Sequence, residues 1–189
     1  MSPRIIPAYP SGAGGGIGVD FQQAGFWAPP LGPYCYYGNL AVNPSRVLGT
    51  RTVCPRAMTI TKMGFVVNVS ASVDDPVDVG IYDGAGNRLA SSGSVSGRLN
   101  ALGAKIIPLT APVTLSAGQV IYACMAFGTV GGTAAQFYAM NTSVVMPQLF
   151  GTAIPQLEGM QLGGNFPLPA VFSGSPASYT AGPVMAVMQ

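Results

Sequence analysis

The stretch VDVGIYDGAGNRLASS, residues 77–92, contains two β-strand patterns on either side of a turn. Its first part alternates, so Val77, Val79 and Ile81 are predicted to point into a core and the residues between them outward. The segment DGAGN, residues 83–87, is rich in residues that tolerate positive φ, which predicts a hairpin loop. This stretch therefore indicates an antiparallel all-β protein.

The chain from residue 34 onward continues as short β-rich runs separated by turns, including a second turn at residues 116–119 (SAGQ). No segment has the 3.6-residue apolar period of a sustained amphipathic helix, so helix is expected to be minor. The pattern predicts an antiparallel β-sandwich, jelly-roll-like, over residues 34–189. The predicted strands are 34–37, 46–54, 58–70, 77–82, 88–96, 104–109, 113–115, 120–127, 136–140 and 184–188. The residues predicted to be buried are Val67, Val79, Ile81, Leu115, Ile121 and Ala123.

A long section, residues 147–183, is rich in glycine, proline and serine but carries large apolar side chains such as Leu149, Phe166 and Phe172. Structureless loops of this length are uncommon in compact domains. We therefore expect the section to pack on the sandwich or on a neighbouring subunit.

Residues 1–33 differ from the rest, with seven glycines, six prolines and only Arg4 and Asp20 charged. This composition predicts a flexible, extended arm that precedes the domain at 34–189. Within it, SGAGGGIG at residues 11–18 invites comparison with a phosphate-binding loop. The glycines do not fit G-x-G-x-x-G, and prolines on both sides oppose the strand and helix that such a loop connects. The arm is therefore favoured over a nucleotide site.

The composition of the 189-residue chain points to an assembly: 7% of residues are charged, 49% are hydrophobic, and the mean hydropathy is +0.41. So much apolar surface with so few charges is expected to be hidden partly against other subunits. The longest clearly apolar run is too short to span a membrane, and prolines interrupt the place of a signal peptide's apolar segment. A net charge of +2 gives no support for nucleic-acid binding. Membrane insertion and nucleic acid are therefore not expected.

Six segments combine strand and turn patterns: residues 53–69 (VCPRAMTITKMGFVVNV), 79–83 (VGIYD), 89–93 (LASSG), 115–123 (LSAGQVIYA), 166–170 (FPLPA) and 183–189 (PVMAVMQ). Together they resemble a recurrent jelly-roll module of virion appendages in tailed bacteriophages. The likeness covers roughly residues 34–189, and it implies a structural or host-binding piece of a tail fibre, head spike or decoration protein, without a catalytic set. By the same likeness, the protein is expected in the virion, assembled in the host cytoplasm as a homotrimer.

Catalytic constellations have little support in the sequence. The chain has no histidine, which excludes a Ser-His-Asp triad and histidine-bearing zinc sites. A carboxylate pair could still serve a glycan-degrading enzyme, but Asp74, Asp75 and Asp83 fit turns better. The acidic candidates outside the arm are Asp74, Asp75, Asp78, Asp83 and Glu158. No enzyme activity, cofactor or metal is expected.

Three cysteines are present, and they have no metal-ligand spacing. Cys124 lies within an apolar run and is predicted to be a small buried side chain. Cys35 and Cys54 flank strand-like segments and could meet across a sheet, but free thiols are favoured because the count is odd and no secretion signal is visible.

The aromatic residues near the arm are the predicted partner-docking site. Aromatic side chains beside prolines make rigid anchors for a partner's pocket, while stacking on a host surface glycan, as in a carbohydrate-binding module, is the alternative. We expect the arm to dock the subunit on other tail or capsid proteins. The docking residues are Phe21, Phe26, Trp27, Tyr34, Tyr36 and Tyr37.

Overall fold

The computed structural model describes residues 25–28, 36–41, 46–128, 132–141, 162–163, 166–171, 181–183 and 185–189. These residues contain strands and no helix, as predicted. The strands are β1 (Gly25–Ala28), β2 (Tyr36–Ala41), β3 (Arg46–Val53), β4 (Met58–Val69), β5 (Val77–Asp83), β6 (Arg88–Ser91), β7 (Gly103–Leu115), β8 (Val120–Phe127), β9 (Gln136–Asn141), β10 (Leu162–Gly163), β11 (Ala181–Pro183) and β12 (Met185–Met188).

The strands form two antiparallel sheets. The seven-stranded sheet has the order β1-β12-β4-β9-β11, with β2 paired to β9 and β7 paired to β4. The five-stranded sheet has the order β10-β3-β8-β5-β6. The predicted antiparallel β-sandwich is confirmed.

The core lies between the two sheets and is apolar. Phe127 of the five-stranded sheet stacks on Phe137 of the seven-stranded sheet, with ring centroids 5.3 Å apart. Phe65 then meets Phe137 edge to face at 5.3 Å, a favourable geometry for aromatic pairs. All six residues predicted to be buried are at most 2% exposed, namely Val67, Val79, Ile81, Leu115, Ile121 and Ala123.

The hairpin between β5 and β6 has the predicted loop. The Asp83 carboxylate accepts the backbone N–H groups of Ala85 and Asn87, each at 2.9 Å, and the Asn87 side-chain amide at 2.9 Å. Gly86 has a φ of 88°, a conformation that favours glycine. The second predicted turn is also present, since the Ser116 N–H donates to the Gln119 side chain and Gly118 has a φ of 77°.

One prediction about β5 was wrong. The alternation predicted an outward face, but Asp78 and Tyr82 are both 0% exposed and Gly80 is buried as well. The reason is that residues 166–171, which we call the strap, cover this side of the five-stranded sheet. The strap belongs to the section at 147–183, so its packing on the sandwich confirms that expectation for the part of the section described here.

The N-terminal region contributes one strand to the sandwich. β1 lies within the range 1–33 predicted to be an arm, and it pairs with β12 through Phe26–Val187 and Trp27–Ala186. Residues 1–24 and 29–35 lie outside the described residues, so the flexibility of the arm and its boundary at residue 33 stay predictions.

Candidate functional site

The structure places four of the six predicted docking residues on two strands. Phe26 and Trp27 lie on β1, and Tyr36 and Tyr37 lie on β2. The two strands belong to the same sheet but pair with different neighbours, β12 and β9 respectively. Phe21 and Tyr34 lie outside the described residues.

The pairing register separates Phe26 from Trp27. Cross-strand partners share one face of a sheet. Phe26 is in register with Val187, Met63 and Ile107, which are all 0% exposed in the core. This register places Phe26 in a core row.

Trp27 belongs to the adjacent register row, with Ala186, Gly64 and Ile106. These positions lie on the outer face of the seven-stranded sheet, where Ile106 is 40% exposed but Ala186 is 0% exposed and Gly64 is buried. Two small residues, Ala186 and Gly64, lie at the centre of the row. Their surroundings are closely packed, because a Cβ on Gly64 would lie 3.1 Å from the Met188 methyl carbon and 3.8 Å from the Ala186 Cβ. We call Trp27, Ala186, Gly64 and Ile106 the outer row.

A second feature, which the sequence analysis did not predict, is the attachment of the strap to the five-stranded sheet. Asp78 accepts the Leu168 N–H at 3.0 Å, and Tyr82 donates its hydroxyl to the Pro169 carbonyl at 2.7 Å. The Arg88 guanidinium donates to the Leu168 carbonyl, and the Arg88 backbone N–H donates to the Ala170 carbonyl at 2.8 Å. Three side chains and one backbone N–H of β5 and β6 therefore hold three consecutive residues of the strap.

Apolar packing completes the strap's attachment. The Leu168 side chain is 1% exposed and packs in a cluster with five residues of β3, β5 and β8, namely Val47, Tyr82, Tyr122, Cys124 and Ala126. Gly80 leaves room for it, because a Cβ there would lie 2.8 Å from a Leu168 methyl carbon. A glycine between two polar residues on the outward side of β5 was the one local signal that could have indicated a close-packed neighbour.

The ionisable groups beneath the strap are adapted to burial. Burial raises the pKa of the Asp78 carboxyl, while the Leu168 N–H, the Ser92 hydroxyl and the Arg88 charge act in the opposite direction. Burial also raises the pKa of the Tyr82 hydroxyl and of the Cys124 thiol. At neutral pH both groups are therefore protonated, and the cluster serves to hold the strap.

Two other carboxylates, those of Asp74 and Asp83, also accept backbone N–H groups. Asp74 accepts the Gly97 N–H with both oxygens, at 2.6 and 2.7 Å, and Asp83 holds the hairpin. Asp75 is 4% exposed beside them, and its N–H donates to the Val73 carbonyl at 3.0 Å. Glu158 lies outside the described residues.

Two of the cysteines can be placed. Cys54 and Cys124 are buried free thiols, which confirms the prediction for Cys124, and the Cys54 thiol donates to the Arg56 carbonyl at 2.9 Å. Cys35 lies outside the described part of the chain. No group of three or more potential metal ligands occurs among the residues that the structure describes. The same residues include no helix that is long and apolar enough to cross a membrane.

Neither a scan against protein-family models nor a search of curated proteins gives a match to this chain.

Proposed function

We propose that the protein is a non-enzymatic structural subunit of a tailed-bacteriophage virion, docked on the particle through its N-terminal segment. It would serve as an appendage subunit, a tail fibre or adaptor or a head spike, with capsid decoration as the closest alternative. The observation that carries the proposal is the position of β1. The segment rich in docking aromatics joins the sheet as its terminal strand, directly after the glycine-rich residues 1–24.

The outer row gives this proposal specific contact residues, namely Trp27 and, at the other end of the row, the 40% exposed Ile106. Trp27 is the largest residue of the row, and its register neighbours Ala186 and Gly64 carry little or no side chain. Tryptophan beside small residues is a typical composition for a binding hot spot, because an indole supplies a large apolar area with few rotatable bonds. The partner surface that fits it is an apolar pocket on another virion protein.

Two further observations support a structural rather than a catalytic role. The chain has no histidine, and Asp74, Asp78 and Asp83 each accept backbone N–H groups that stabilise the fold. The low fraction of charged residues, 7%, supports burial of surface in an assembly. We propose a homotrimer, with host attachment as a further role.

Incorporation into particles tests the docking role with three variants. Deletion of residues 1–24 keeps β1 and is expected to leave the melting temperature unchanged while weakening incorporation, because the docking residue Phe21 is lost. Trp27→Ala is expected to weaken incorporation by about 30-fold, which corresponds to a hot spot of ~2 kcal/mol. Phe26→Ala is the matched control: as a member of the core row it is expected to lower the melting temperature.

Two outcomes would decide against the proposal. If the deletion and Trp27→Ala both incorporate at wild-type occupancy, the N-terminal segment has no docking role. If a glycan array shows binding that Trp27→Ala abolishes, while incorporation is unaffected, the carbohydrate-binding alternative replaces it.

A further inference from the structure

The carboxyl group of Asp78 is the centre of the strap's attachment. It lies on β5 and is 0% exposed. One oxygen, Oδ2, accepts the Leu168 N–H at 3.0 Å across 90 residues of sequence. The other, Oδ1, lies 3.1 Å from the Ser92 hydroxyl oxygen.

The Ser92 hydroxyl has more acceptors around it than it has hydrogens. Its oxygen accepts the Val79 N–H at 3.0 Å, and it lies 2.9 Å from the Gly93 carbonyl and 3.1 Å from Asp78 Oδ1. A hydroxyl donates one hydrogen and accepts two. If Asp78 is ionised, the single hydrogen serves either Asp78 or Gly93, and the other acceptor loses the Ser92 hydroxyl as its partner.

A proton on Asp78 Oδ1 completes the network. The carboxylic acid then donates to Ser92, Ser92 donates to the Gly93 carbonyl, and Oδ2 still accepts the Leu168 N–H. Every contact is satisfied and the hydroxyl uses its full capacity of one donated and two accepted bonds. The hydrogen-bond geometry thus fits the neutral acid better than the carboxylate.

The charged and titratable groups around Asp78 are few. Arg88 of β6 and a backbone hydrogen bond with Gly93 favour the carboxylate, and Tyr82 of β5 and Cys124 of β8 are held neutral by burial. The strap, FPLPAV, carries no titratable side chain. Desolvation is the largest influence on Asp78, and it raises the pKa of this carboxyl in spite of Arg88.

We propose that the strap is a proton-controlled clasp: neutral Asp78 fastens it to the five-stranded sheet, and ionisation of Asp78 loosens it. Loosening uncovers the apolar surface beneath Leu168, which includes Tyr122, Cys124 and Ala126. The sign of the pH dependence follows from the linkage between proton binding and strap attachment. Because the fastened state binds the proton more tightly, its stability is fully present below the ordinary carboxyl pKa and declines as the pH rises through the raised one.

Thiol labelling of the full chain tests the clasp with an internal reference. Cys124 lies beneath the strap, whereas Cys54 lies in the core between the sheets, and both are 0% exposed. Loosening of the strap exposes Cys124 alone, while global unfolding exposes both. The ratio of labelling at the two positions, read by mass spectrometry, therefore reports the strap.

The comparison is between the wild type and Asp78→Asn, whose amide donates to Ser92 and accepts from Leu168 as the neutral acid does. Between about pH 4 and about pH 8, the ratio of Cys124 to Cys54 labelling is expected to rise in the wild type, by up to tenfold per pH unit. In Asp78→Asn it is expected to stay constant. An equal rise in both proteins, or a constant ratio in the wild type, overturns the proposal.

Amide exchange in the wild type provides a second measurement that does not depend on the variant. Protection of the Leu168 N–H, corrected for the intrinsic exchange rate at each pH, is expected to fall as the pH rises over the same interval. The amide of Ile81, in the centre of β5, is expected to keep its protection. Protection of Leu168 that is constant or increases with pH contradicts the clasp.

Discussion

The interior between the two sheets and the outer face of the five-stranded sheet are both buried, but by different means. Between the sheets, apolar side chains of both layers meet, and the contacts are rings and aliphatic groups. On the outer face, the strap covers Asp78 and Tyr82 together with apolar groups, and hydrogen bonds determine its position. One surface is closed by non-directional burial and the other by directional contacts.

This difference implies different sensitivities. Hydrophobic burial scales with the area removed from water and tolerates changes that keep the volume. A buried hydrogen-bonded cluster depends on each partner, because a group left unpaired retains its desolvation cost. Changes in the core are therefore expected to affect the whole domain, and changes beneath the strap to act first on the strap.

The largest effect is expected in the core, from Ile81→Asp. Ile81 is 0% exposed at the centre of β5, and an aspartate there would lose its hydration without gaining a partner. We expect a loss of at least 4 kcal/mol in the free energy of unfolding, enough to unfold a marginally stable domain. Chemical denaturation and circular dichroism measure it, and a variant as stable as the wild type would mean that Ile81 does not face the core.

A smaller loss is expected beneath the strap, from Leu168→Ala. Leu168 is 1% exposed, so its truncation leaves a cavity and should cost about 2–4 kcal/mol of strap attachment. Labelling of Cys124 should increase more than labelling of Cys54. Leu89→Ala is the matched control, because Leu89 is 37% exposed on the neighbouring strand β6 and its loss should cost less than about 0.5 kcal/mol. Equal effects of the two substitutions would contradict the difference between the regions.

A pair of glycines tests the closeness of the strap and the sheet. A Cβ on Gly80 would lie 2.7 Å from the Ala90 carbonyl oxygen and 2.8 Å from a Leu168 methyl carbon, whereas a Cβ on Gly84 would come no closer than 3.5 Å to Val120. Gly80→Ala is expected to cost about 1–3 kcal/mol through overpacking. Gly84→Ala should change the free energy of unfolding by less than about 0.5 kcal/mol. Similar changes in the free energy of unfolding for the two substitutions would show that the strap moves easily to accommodate the added methyl group.

The features that the sequence predicted are those with local signals. The inner face of β5 follows from the alternation of Val77, Val79 and Ile81, and the hairpin follows from the turn chemistry of DGAGN. The strap has no such signal, because its partners lie 90 residues away and the strap itself has no periodicity. Its residues were predicted to pack on the sandwich or on a neighbouring subunit, but the face of the sandwich was not predicted.

The docking residues show the same limit of prediction from local sequence. Composition grouped Phe26 and Trp27 as neighbouring aromatics, and nothing in the local sequence indicated that β1 pairs with β12 near the other end of the chain. Only the register assigns them to different rows, Phe26 with Met63 and Trp27 with Gly64. Alternation along a strand separates its residues into two faces, but the pairing strand decides which face joins the core, and the local sequence does not identify that strand.

The smallest expected effect distinguishes the hairpin from the strap by the sign of a pH dependence. Hydrogen bonds from Asn87 and Ala85 lower the pKa of the partly exposed Asp83 carboxyl, whereas burial raises that of Asp78. Asp83 therefore contributes stability above the ordinary carboxyl pKa of about 3.9, and this stability is lost as the pH falls through the lowered value. The contribution of Asp78 is lost instead as the pH rises. Because Asp83 is partly exposed and water screens its charge, its contribution should be only a few tenths of a kcal/mol.

Asp83→Asn keeps an oxygen that can accept the loop N–H groups, but it removes the charge together with the acceptor of the Asn87 side-chain amide. Asp78→Asn removes the charge beneath the strap. Unfolding free energies of the wild type and both variants are measured from about pH 2 to about pH 8. The difference between the wild type and Asp83→Asn should grow with pH over the acidic part of this range. The difference between the wild type and Asp78→Asn should fall with pH. If both differences change in the same direction with pH, the carboxyls of Asp83 and Asp78 are not in opposed environments. The hydrogen bonds that position the strap would then have to come from Tyr82 and Arg88 instead of Asp78.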